Sequence, residues 1–135
     1  MKVREILTEG LSQDKARSII AEFLNFVKKE LDLDKLPKIT LYPDSKHAIN
    51  NKSFGGYSPS TKGITITIAN RHIQDVLRTL AHEHVHYKQD INGQLNDKSG
   101  DDGSPEENEA NSTAAVLLRK WGKLHPELFG FDAII

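Results

Sequence analysis

The sequence predicts a small α+β domain: an N-terminal helix, a short antiparallel sheet of two or three strands, a histidine-bearing helix and a packed C-terminal helix. Three patterns predict it. Ile20, Phe23, Leu24, Val27 and Leu31 recur at helical spacing, Ile64, Ile66 and Ile68 alternate with Thr65 and Thr67 as in a half-buried strand, and Ile73, Leu77, Leu80 and Ile91 restore a helical period. A length of 135 residues, 37% hydrophobic and 27% charged, suits one globular domain, and no repeat or linker divides it. Residues 11–135 are therefore expected to form a single domain behind a flexible tip of residues 1–10.

In chain order, Ser12 caps the first helix, which ends near Asp32, and Pro37 breaks the pattern. Ile39, Leu41 and Tyr42 suggest a short strand. Phe54-Gly55-Gly56-Tyr57 reads as an irregular edge or loop, able to flank an edge strand that pairs with an extended peptide. Ile64 to Ile68 is the clearest strand. Asn70 is the expected cap of a helix from Arg71 to about Asp90. Asn92 to Gly103 has the Gly, Asn, Asp and Ser content of a mobile acidic loop. Ser104-Pro105-Glu106-Glu107 then opens the last helix, with Pro at the first helical position, and Gly122 is expected to stop it after Trp121.

Composition removes several function classes. Eighteen basic and nineteen acidic side chains leave a formal charge of -1, so nothing drives the chain toward nucleic acid or an anionic membrane. With no cysteine, thiolate metal sites and disulfides are excluded, and a metal has to be held by histidine, carboxylate and water. No apolar run approaches the roughly 20 residues of a membrane span, and the start lacks a secretory apolar stretch, which suggests a cytoplasmic protein.

Chemistry concentrates in His82-Glu83-His84-Val85-His86, an HExxH pattern on a segment already read as helix. Residues four apart differ by about 40° in direction, so His82 and His86 can place two imidazole nitrogens on one ion. Glu83 leans beside that pair, where its carboxylate can take a proton from a metal-activated water attacking a carbonyl. On a helical wheel the histidines oppose the stripe of Ile73, Val76, Leu77, Leu80, Tyr87 and Ile91. The helix should thus pack its stripe on the sheet and turn the histidines to a cleft closed by the last helix. His84 falls inside the stripe and is read as a packing histidine.

Zinc at a catalytic site takes three protein ligands and a water, so a third must come from elsewhere. No histidine has metzincin spacing, which favours a carboxylate at the start of the last helix: Glu106, Glu107 or Glu109. Glu107 has a competing use, since in a capping box it would reach back to the start of its own helix. Tyr57, His47, Arg119 and His125 are candidate donors to a developing oxyanion.

The run Ala81-His82-Glu83-His84-Val85-His86-Tyr87, the acidic loop, and Glu107-Asn108-Glu109-Ala110-Asn111 with Ala114-Ala115 and Leu117-Leu118 resemble the gluzincins, and among them the minimal metallopeptidase domains of the ImmA/IrrE type. The resemblance covers about Thr79 to Leu118. It implies a small zincin-like fold, zinc held by His82, His86 and Glu107, Glu83 as general base, and a protein or peptide substrate. It also sets Asn111 where an outer residue orients a zinc-bound histidine. The alternative is a catalytically weak zinc-binding module with a structural or regulatory role.

Met1 to Glu9 further resembles the capsid-targeting leaders of T4-like bacteriophage head proteins, which a prohead protease cuts after Leu-x-Glu or Ile-x-Glu; Leu7-Thr8-Glu9 matches that form. This resemblance implies a cleaved leader and an internal head protein, packaged in a virion and delivered to a host cytoplasm.

Overall fold

The computed structural model describes residues 10–44, 46, 54–129 and 133–135. The proposed leader, through Glu9, and His47 lie outside the described residues. Helix α1 spans Gln13–Glu30 and starts where the sequence places it, with the Ser12 hydroxyl accepting the Lys15 N–H at 3.1 Å. Its Ala16, Ile19, Ile20, Phe23 and Val27 are buried. Strands β1 (Lys38–Tyr42), β2 (Gly55–Ser58) and β3 (Gly63–Thr67) follow, then helices α2 (Ile73–Ile91) and α3 (Pro105–Leu124) and a 3-10 turn at Pro126–Phe129. None of the described helices is long and apolar enough to cross a membrane.

The architecture is α+β as predicted, but the sheet is mixed rather than antiparallel throughout. Its order is β1-β3-β2, with β2 and β3 an antiparallel hairpin and β1 parallel to β3. The tight turn at Pro59–Lys62 can only produce an antiparallel pair. The longer path from β1 to β3, by way of β2, supplies the crossover that a parallel pair needs. Register puts Ile39 beside Ile64 and Leu41 beside Ile66, so the apolar side chains share the face that packs on the helices. Thr67, expected on the solvent face, is buried. It lies where its N–H bonds the Phe54 carbonyl and its own carbonyl accepts from Arg71.

Segment Gly55 to Tyr57, read as an irregular edge or loop, forms the edge strand β2. The reason is a close approach: a Cβ on Gly55 would stand 2.7 Å from Thr79 Cγ2 of α2. Only glycine lets this edge lie against the helix one turn before His82.

Helix α2 begins later than predicted. Its cap is His72, whose Nδ1 accepts the Gln74 N–H at 3.1 Å, not Asn70. Asn70 takes a left-handed φ of 59°, and the backbone on both sides of it is held by the C-terminal residues: Asn70 N–H bonds Ile135 O, Ile135 N–H bonds Arg71 O, and Ile73 N–H bonds Ala133 O. These long-range bonds outcompete a local cap. Along α2, Ile73, Val76, Leu77, Leu80 and Tyr87 are buried as the wheel requires, whereas Ile91, at the very end of the helix, is half exposed. Ala81, Val85 and Gln89 are buried too, because α3 covers the side away from the sheet.

Between α2 and α3 the chain is not the loose loop that composition suggests. Asn96 N–H bonds Ser99 Oγ at 2.8 Å, Ser104 Oγ–H bonds Ser99 O at 2.7 Å, and Ser99 itself is buried. Polar side chains here substitute for secondary structure. Helix α3 starts at Pro105 with Ser104 as cap, but runs through the buried Gly122 to Leu124. Its Trp121 packs edge-on against Phe23 of α1, ring centroids 5.2 Å apart, and that tertiary contact carries the helix past the glycine.

Candidate metal centre

Two helices build the site. His82 and His86, one turn apart on α2, bring their Nε2 atoms to 3.2 Å. From the first turn of α3, Glu107 places Oε1 at 2.9 Å from His82 Nε2 and Oε2 at 3.0 Å from His86 Nε2. The three form a group that can hold a metal ion, each offering one ligand atom. Zinc bonded at about 2.05 Å in a tetrahedron separates its ligands by roughly 3.3 Å, which these spacings approach.

The donor set suits a cation. Gln89 Nε2 donates to Glu106 O at 3.0 Å and to Glu109 Oε1 at 2.7 Å, which turns its Oε1 toward His86 Nδ1 at 2.8 Å. His86 Nδ1 therefore donates to that oxygen, and in a neutral imidazole Nε2 is then the acceptor that faces Glu107 and His82. Acceptors facing acceptors at this distance are satisfied only by a proton or a metal. Burial pushes the His82 imidazole below its ordinary range, with Glu107 pulling the other way, which disfavours a proton on His82 itself. Asn111 lines the same cavity as His82 and Glu83.

Glu107 is thus released from its competing use. Ser104 still caps α3 by accepting the Glu107 N–H at 3.1 Å, but the Ser104 N–H bonds Asp101 O instead of the Glu107 side chain. The other two carboxylates considered as ligands are engaged elsewhere, Glu109 with Gln89 and Glu106 with Asn96 at 3.3 Å.

Gln89 is the residue that sequence reasoning missed. A buried amide three residues after a candidate histidine ligand was the available signal. Replacing Gln89 by leucine is expected to weaken metal affinity by about 10- to 100-fold, read by competition with a chromophoric chelator, because the His86 tautomer is no longer held.

Glu83 lies beside the pair, its carboxyl pushed up to about 7 by burial, with Glu107 adding to the rise and His86 opposing it. With His82 it lines the larger cavity of the cleft, about 640 Å3, together with Gly55, Arg71, Asp75, Arg78, Thr79, Asn111, Ala114 and Ala115. On the other side of the cluster, His86, Tyr57, Leu95 and Ser99 line a smaller cavity of about 230 Å3. A further hollow of about 460 Å3, bounded by β1, β2 and β3, offers only Lys38 and Tyr57 among titratable groups.

His84 is a packing residue, as its place in the stripe predicts: fully buried, with Nδ1 2.6 Å from Leu80 O. Burial lowers its pKa to about 4, against a weaker upward pull from the Leu80 carbonyl. A depressed histidine pKa means that the unfolded chain binds the proton first. Its contribution is complete above pH 6.5 and is lost as pH falls toward 4. Between pH 7 and 5 the metal-free protein is expected to lose about 2 kcal/mol more than a His84→Leu variant, measured by urea unfolding.

Of the candidate oxyanion donors among the described residues, only Tyr57 reaches the cleft, and its hydroxyl donates to Asp90 Oδ2 at 2.5 Å, an atom that Lys62 Nζ also binds at 2.6 Å. Burial and the Asp90 carboxylate raise the Tyr57 pKa, so it stays protonated. His125 stacks on Trp121 with ring centroids 4.0 Å apart, and Arg119 is exposed on α3. Neither is brought to the cluster. Comparison of the chain with models of protein families, with curated proteins and with solved structures finds no match in any of the three, and what this cluster does has to be argued from its own chemistry.

Proposed function

We propose that this protein is a zinc-dependent metallopeptidase of the gluzincin kind, hydrolysing peptide bonds with Glu83 as general base. The observation that carries the reading is the convergence of His82, His86 and Glu107, from two helices, on one point beside the half-buried carboxyl of Glu83. Zinc is the ion best suited to two neutral imidazoles and one carboxylate with a fourth position open; when bound it acidifies a water and polarises a carbonyl.

The chain's own residues do the rest. Gln89 holds the His86 imidazole in one orientation, so that ligand needs little rearrangement. A carboxyl placed near neutrality accepts the proton of the attacking water and returns it to the leaving amine. Strand β2, outermost in the sheet among the described residues, can align an extended peptide along the cleft. The test is to incubate zinc-loaded protein with a random-sequence peptide pool and follow new termini by mass spectrometry. Cleavage that a chelator stops and zinc restores supports the reading; an intact pool with one zinc bound per chain sinks it.

One observation favours a second reading, a zinc-binding module with weak turnover: among the described residues, Tyr57 is the one candidate oxyanion donor at the cleft, and its hydroxyl is committed to Asp90. In that case a partner protein, retained equally by wild type and Glu83→Gln, would be the functional ligand.

A further inference from the structure

The larger cavity has a charge pattern that the hydrolytic chemistry does not require. At its far end two guanidinium groups share one carboxylate: Arg71 Nη2 lies 2.6 Å from Asp75 Oδ2, and Arg78 Nη2 lies 3.0 Å from Asp75 Oδ1. Burial works against the Asp75 charge, but hydrogen bonds from both arginines hold its carboxyl below the usual range, so it stays ionised. Two positive groups against one negative leave a net positive charge there.

The two arginines are not equivalent. Arg71 is buried, its side chain 6% exposed, and saturated: it also donates to Thr67 O at 2.9 Å and Thr79 Oγ1 at 2.9 Å, and lies over the Phe54 ring. Arg78 is 66% exposed and lines the cavity, and among the described residues it bonds Asp75 alone, through one nitrogen, which leaves most of its donor fork available. Apart from His82 and Glu83, the rest of the lining is uncharged, with Phe54, Gly55, Thr79, Asn111, Ala114 and Ala115. Besides Asp75, the only carboxyl lining this cavity among the described residues is Glu83. Arg78 precedes His82 by one helical turn, about 6 Å along α2, so a group bound there belongs to the peptide within about two residues of the bond being cut.

We propose that Arg78 is a specificity-determining residue that receives a carboxylate of the substrate, on the His82 and Glu83 side of the scissile bond. This rests on the peptidase reading for its meaning as specificity, though not for the binding itself. The carboxylate has two possible sources, an Asp or Glu side chain or a free peptide C-terminus. Arg71 serves as a positioning residue that shares Asp75 and holds it in place.

The experiment uses three random-sequence decapeptide pools on zinc-loaded Glu83→Gln protein: one with central Asp or Glu and an amidated terminus, one with Asn or Gln there and an amidated terminus, and one with Asn or Gln and a free terminal carboxylate. Retention of the first or the third pool at least about tenfold above the second is expected, falling to within twofold in Arg78→Gln, since a charge-assisted bidentate contact is lost. Which pool wins names the source. Equal retention of all three overturns the proposal, as does a preference that survives in Arg78→Gln, which would place the carboxylate on the metal instead. The same pools on wild type separate this from the peptidase reading. Cleavage indifferent to acid and to Arg78 leaves a peptidase without this specificity, whereas acid-selective retention with no cleavage leaves the carboxylate site without a peptidase.

Discussion

Purified without a histidine tag, wild-type protein is expected to hold one zinc per chain by elemental analysis, and His86→Ala to hold none. Two of the three ligands span only one turn of α2, so removing either leaves a histidine and a carboxylate, a pair too weak to retain a dication against dilution. Glu107→Gln should reduce affinity less completely, since an amide oxygen remains on the same side chain without its charge. An ion held by this triad would join α2 to α3, so its binding would be linked to folding. At a free zinc concentration about 1,000 times the dissociation constant the folded state gains about 4 kcal/mol, and the melting temperature should rise on the order of 10 °C in wild type and not at all in His86→Ala. A wild type whose melting temperature ignores zinc would leave the acceptor cluster to be explained by a shared proton.

Glu83→Gln should lower the peptide cleavage rate by about 100- to 10,000-fold while zinc stoichiometry stays at one per chain. Glutamine keeps the volume and one oxygen at the half-buried position but cannot take up the water's proton. Melting temperature should hold or rise in the metal-free protein, because a carboxyl that burial already disfavours in its charged form is replaced by a neutral group. Loss of zinc together with activity would instead make Glu83 a ligand and remove it from the role of base. Retained activity would defeat the peptidase mechanism as drawn.

Much of the site was legible in one dimension, because helix geometry is local. Four-residue spacing aligns His82 with His86 whatever surrounds them, and the stripe of Ile73, Val76, Leu77 and Leu80 fixes which side turns inward. His84 could be assigned to packing by the same count. The first and last helices started where Ser12 and Ser104 placed them, since a hydroxyl satisfying an N–H three residues on involves no distant part of the chain.

What failed was non-local. Asn70 lost the cap of α2 to backbone bonds from residues 133–135, Gly122 was overrun because Trp121 is anchored on α1, and the parallel pairing of β1 with β3 depends on a crossover that no alternation of apolar residues reports. Glu107 shows the division most clearly. From the sequence it was at once one of three possible ligands and a capping-box glutamate, and both uses are chemically sound. Only the fold decided between them. It gave the Ser104 N–H to Asp101, drew Glu109 and the Glu106 carbonyl to Gln89, and packed α3 across α2 so that the remaining carboxylate met two histidine nitrogens. Spacing along a helix determines which side chains point together, but which helix they meet depends on burying the core, and that is settled by all the elements at once.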